Sequence, residues 1–155
     1  MPEVQHIHPI LVHFPIVLIY TLTVIDILAQ ARHQDVTIRS GVGTISTYMA
    51  VACGLFAIMT WYFGGVALDV AEAGGFSSPI AETHEGLGGI AGFAFLLWGL
   101  VRLALWIRNR AHGSLAIAIP AVELAGCILV TVTAYYGGQL VYDLGVNVAK
   151  AAAGG

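Results

Sequence analysis

Four long apolar stretches, separated by short polar interruptions, make up nearly the whole chain. They run over about 9–30, 42–68, 80–107 and 115–142, and each supplies the roughly 20 apolar residues that a helix needs to cross a bilayer. The interruptions are ARHQDVTIRS, EAGGFSSP and RNRAHGS, too short for anything but direct turns between neighbouring helices. The prolines agree with this division. Pro9 suits the first turn of helix 1, and Ser78-Pro79 reads as the start of helix 3. Pro15 falls inside helix 1 and leaves the Leu11 carbonyl without its donor, which predicts a kink beside His13.

Composition turns the pattern into a class. Of 155 residues, 58% are hydrophobic and 10% charged, where soluble domains run near a quarter charged. The expectation is an all-α integral membrane protein, a four-transmembrane-helix bundle forming one domain over residues 1–155, with nothing left for a soluble domain. No Lys or Arg precedes the first segment, so it is read as a span and not as a cleavable signal. Arg32 and Arg39 lie between helices 1 and 2, and Arg108 and Arg110 between helices 3 and 4. The 2–3 connection carries Asp69, Glu72 and Glu82 instead. By the positive-inside bias, the basic connections are cytoplasmic and both termini are outside, in a multi-pass protein of a bacterial inner membrane. Cys53 and Cys127 fall inside helices 2 and 4 and read as small packing residues rather than a disulfide. There is no basic patch for nucleic acid, no nucleotide-binding glycine loop and no Ser–His–Asp pattern. The partners expected are membrane lipids, together with other redox subunits or further copies of the chain.

A repeat follows from laying the halves side by side. Helix 2 ends in Trp61-Tyr-Phe-Gly64-Gly65 and helix 4 carries Ala134-Tyr-Tyr-Gly137-Gly138. His13 precedes its glycine pair by about as many residues as His84 precedes its own. Two pseudo-repeated helical hairpins in the same orientation would place His13 and His84 opposite each other at one depth. His84, Gly88 and Gly92 are four residues apart and share one helix face, a histidine above a groove without side chains.

At HPILVHFPI, THEGLGG and TAYYGGQLVYDLGVNV the chain resembles a family of predicted bacterial membrane proteins catalogued as domain of unknown function 2231, over all four helices. The resemblance implies a four-helix inner-membrane module, sometimes met beside redox proteins, without a settled activity. It picks out His8, His13, His84, Gly137, Gly138 and Tyr142 here.

An ionisable group inside a membrane segment is costly without a partner and so points to function. A haem b held by two histidines needs one imidazole from each side and helix surfaces free of side chains. The reading this favours is a b-type cytochrome-like subunit, with haem between His13 and His84 near the outer side, carrying electrons within a redox complex. His8 is a further ligand or a neighbour of one, and Gly88, Gly92, Gly64, Gly65, Gly137, Gly138 and Tyr142 line the site. Tyr142, Gln139, Asn147, Ser77 and Lys150 are the residues available to hold propionates. A second reading is a copper- or zinc-binding or transport protein using His6, His8, His13 and His84, with Glu82 and Glu85 in reach. A third is a structural subunit whose histidines only hold its helices, and whose small residues only allow close approach. An enzyme is less expected than an electron-transfer subunit. Toward the basic end, Arg102 is expected to pair with Glu123 or Asp26, with a proton or quinone site as the sharper alternative. His33 and His112 lie in the basic connections, and as loop residues they are expected to be solvated.

Overall fold

A computed structural model describes residues 6–115 and 117–146. Among them are helices only: α1 (Ile7–Leu11), α2 (His13–Ala31), α3 (Gly41–Ala73), α4 (Pro79–Arg108) and α5 (Ala118–Tyr142), with a 3-10 turn at Gly113–Leu115. Four of the resulting rods, with α1 and α2 counted as one, are long and apolar enough to span a membrane. The break between α1 and α2 falls at Val12, where the chain stays close to helical and Val12 N–H still donates to the His8 carbonyl at 3.1 Å. It lies where Pro15 withholds the N–H that Leu11 would accept.

The remaining ends have local causes. Ser40 caps α3 by accepting from Gly43 N–H at 3.1 Å, and Ser78 caps α4 just before Pro79 by accepting from Ile80 N–H at 3.2 Å. Asn109 ends α4 in the left-handed conformation, with φ of 49°. Two bounds differ from the sequence expectation. Helix α3 runs on to Ala73, because nothing breaks it before Gly74 and Gly75, the latter at φ of 90°. Asp69 and Glu72 are therefore helical, Glu82 sits in the first turn of α4, and the acidic connection shrinks to residues 74–78. Helix α5 starts at Ala118, since the preceding residues Gly113–Leu115 are spent on the 3-10 turn.

The rods form a square. Helix α2 packs on α3 and α5, and α4 packs on the same two, while the backbones of the diagonal pairs do not approach one another. The closest edge is α3 against α4. A Cβ built on Gly54 would stand 2.7 Å from Leu96 Cα, and one on Gly99 would stand 2.9 Å from the Ala50 carbonyl oxygen, so only glycine allows this crossing. Ile19, Leu22, Ala50, Cys53, Phe95, Cys127 and their neighbours fill the middle of the bundle, with both thiols free and buried. Ile10, Leu97 and Ile128 are more than half exposed, as the outer face of a membrane protein requires.

Candidate functional site

The square opens at the end that carries α1. A cavity of about 580 Å³ lies there, lined by all the long helices and largely apolar, within the size range of small-molecule sites. Three histidines line it, and two of them, His8 from α1 and His84 from α4, face each other from diagonally opposite rods. The ring centres are 6.1 Å apart and the planes are inclined at 85°.

Each ring is fixed in the same way by the helix beside it. His8 Nδ1 lies 2.9 Å from the Thr60 carbonyl oxygen of α3, and His84 Nδ1 lies 2.9 Å from the Thr133 carbonyl oxygen of α5. A carbonyl only accepts, so Nδ1 carries the proton in both rings. In a neutral imidazole the lone pair is then on Nε2. One turn beyond each carbonyl stands the glycine that makes room for the ring. A Cβ on Gly64 would fall 3.0 Å from His8 Cε1, and one on Gly137 would fall 2.9 Å from His84 Cε1. His8, Thr60 and Gly64 in the first hairpin thus match His84, Thr133 and Gly137 in the second.

The structure corrects the expected pair. His84 faces His8, not His13. His13 is exposed and borders the cavity five residues further on. At about 100° per residue, five residues turn a side chain by about 140°, so His13 borders the cavity from a different direction than His8. The expected acceptor also changes. The histidine N–H groups use Thr60 and Thr133, and the Leu11 carbonyl freed by Pro15 receives neither.

The glycines divide by role. Gly64 and Gly137 seat the imidazoles, Gly65 lies 3.7 Å from Glu85 Oε1 by its built Cβ, and Gly138 faces open space. Gly88 and Gly92 border the cavity but also carry the α3 contact, where a Cβ on Gly92 would meet the Ala57 carbonyl oxygen and Trp61 Cβ at 3.5 Å. That is the close-approach use of small residues in addition to any lining role. Tyr142, 88% exposed, stands at the rim, and Gln139 donates to Tyr135 at 3.4 Å. Asn147 and Lys150 lie outside the described residues. His6 is exposed, and among the described residues no three His, Cys, Asp or Glu side chains converge as an ion site.

The other end of the square is closed by charge. Arg102 of α4 is fully buried, and its Nη1 donates to Asp26 Oδ2 of α2 and, at 2.7 Å, to Glu123 Oε1 of α5. Its Nη2 donates to Ser46 Oγ of α3, and Ser46 in turn donates to Asp26 Oδ1. Trp98 Nε1 donates to Glu123 Oε1 at 3.2 Å. Both expected partners are therefore engaged at once, and Ser46 and Trp98 join them. Below lies a smaller cavity of about 240 Å³, bordered by Asp26, Gln30, His33, Asp35 and His112. At its mouth the Asp35 carboxylate accepts from Thr37 N–H at 2.7 Å, from the Thr37 hydroxyl and from His112 N–H at 2.9 Å. Partial burial would raise the Asp35 pKa, but the Thr37 and His112 donors outweigh it and hold the carboxyl below its ordinary value.

Fold and site together define a class, a four-helix membrane bundle with paired imidazoles in an open end. The chain belongs to the family described as predicted membrane protein, domain of unknown function 2231, whose model matches residues 5–150. No curated protein matches the chain, and no solved structure does.

Proposed function

We propose that the protein is a membrane cytochrome-like subunit that binds haem b between His8 and His84 and carries electrons within a redox assembly. The observation that supports this reading most is the pair of rings 6.1 Å apart on diagonal helices. The Nδ1–H bonds to Thr60 and Thr133 are the outer contacts that orient metal-bound histidines, and they leave Nε2 as the ligating atom. His8 and His84 would hold the haem, and the group would supply reversible one-electron chemistry. What the chain itself does is hold two imidazoles at a fixed separation in a largely apolar cavity.

The oxidised and reduced optical spectra of the purified protein test this. A low-spin haem spectrum is expected, lost in His8→Ala and in His84→Ala and retained in His13→Ala, His33→Ala and His112→Ala. Loss in His13→Ala with retention in His8→Ala would reject the assignment of ligands. A pure protein with no Soret band, but with stoichiometric copper or zinc lost in the two key variants, would replace haem by a metal ion. The proposal places the imidazole end outside a bacterial inner membrane, by the bias of Arg32, Arg39, Arg108 and Arg110. A cysteine at exposed Ser77 should then react with an impermeant label on intact cells, and reaction only after permeabilisation would invert the orientation.

A further inference from the structure

The charge cluster at the closed end does not balance. Arg102, Asp26 and Glu123 have 0% side-chain exposure, so one guanidinium faces two carboxyls away from water. With both carboxyls ionised the cluster would hold one uncompensated negative charge, at a cost that burial makes severe. Hydrogen bonding shows which carboxyl is the odd one. Asp26 accepts at both oxygens, from Ser46 and from Arg102, which is the pattern of a carboxylate. Glu123 accepts twice at Oε1, from Arg102 and Trp98, while its buried Oε2 has no partner among the described residues. A bare carboxylate oxygen there is unfavourable, and a proton on it restores neutrality.

We infer that the cluster is a proton-binding site, in which Glu123 carries one exchangeable proton beside the Asp26–Arg102 ion pair. The small cavity is its entrance: Asp26 forms part of the cavity wall, and the cavity opens between residues 33–37 of one connection and His112 and Gly113 of the other. The groups that face Glu123 are Arg102 and Trp98 from α4 and Asp26 from α2, and Ser46 of α3 joins the cluster through Asp26 and Arg102. The buried thiols Cys53 and Cys127 lie on the core side, and Asp35, His33 and His112 stand around the cavity. Nothing here depends on haem. A buried proton on this side of the core keeps the cluster neutral inside the span.

Infrared spectroscopy of the purified full chain in lipid tests the inference. At neutral pH the spectrum should contain a carboxylic-acid carbonyl band that shifts in D2O, because the proton exchanges through the cavity. Glu123→Gln, the isostere of the neutral acid, should remove the band and leave thermal stability close to wild type. Asp26→Asn should also remove it, since Glu123 then becomes the sole counter-ion of Arg102. Absence of the band in the wild type overturns the proposal, as does its survival in Glu123→Gln. A band that ignores D2O would overturn the exchange route. Haem content is read separately from the optical spectrum, so failure of either proposal leaves the other standing.

Discussion

The two ends of the same square of helices solve opposite problems. At the imidazole end the polar groups are half satisfied: each histidine commits Nδ1 to a backbone carbonyl and keeps Nε2 free in a cavity of about 580 Å³. At the basic end, Arg102, Asp26, Ser46 and Trp98 knit the four helices together around Glu123. Glycines sharpen the contrast. Gly54 and Gly99 are pressed against backbone of the neighbouring helix, whereas Gly64 and Gly137 are pressed against imidazole rings. One end holds the fold together, and the other keeps space and two lone pairs for something else.

If that division holds, damage at the two ends should differ in kind. The largest effect belongs to Arg102→Leu, which leaves two carboxyls buried without their cation. Losing one partner of a buried ion pair costs about 3–5 kcal/mol, so the variant should fail to accumulate folded or unfold in mild denaturant. Adding Asp26→Asn should restore part of the loss. Equal damage in the single and double variants, read by unfolding in detergent, would remove the cluster from the account of stability.

Next comes Gly54→Ala, whose Cβ would stand 2.7 Å from Leu96 Cα and the Phe95 carbonyl oxygen. Backbone cannot swing aside as a side chain can, so α3 and α4 must separate, at about 1–3 kcal/mol by the usual cost of overpacking. Gly137→Ala should behave differently although its clash is nearly as close. The atom it meets, His84 Cε1 at 2.9 Å, belongs to a ring that can turn away by giving up its bond to Thr133. Stability should then stay within about 1 kcal/mol, because alanine also favours helix by about that much. The spectrum of any bound haem should change. Gly138→Ala, facing open space, should change neither, and an equal effect from both would undo the proposed seating of the ring.

The smallest effect is expected at the mouth of the lower cavity. Folding depresses the Asp35 pKa, so its contribution is present above the ordinary carboxylate range and fades as pH falls through that range and below. Asp35→Asn should lower stability slightly at neutral and alkaline pH and leave the lowest pH nearly unchanged, so that the acid limb of the stability–pH curve flattens. A steeper acid limb in the variant would reverse the sign assigned here.

The sequence alone determined the class of fold, since four apolar runs of span length joined by short polar connections leave a chain no other way to satisfy its backbone in lipid. It determined the buried charge partners for the same reason: Arg102 at that depth had to meet Glu123 or Asp26. It also located His84 and the glycine pairs. Only the tertiary structure decided that His8, rather than His13, completes the pair. Counting residues between a histidine and its glycines crosses connections whose path the sequence does not give, and the extra turn of α1 before Val12 shifts the register. Helical phase then separates the two, because a side chain about 140° round from His8 meets the cavity from another direction. Thr60 and Thr133 were illegible for a simpler reason. They act through backbone carbonyls, which every residue possesses, so no side-chain pattern marks them. Ser46 and Trp98 needed the packing as well, since an ordinary serine and a tryptophan become parts of the charge cluster only when four helices bring them to one point.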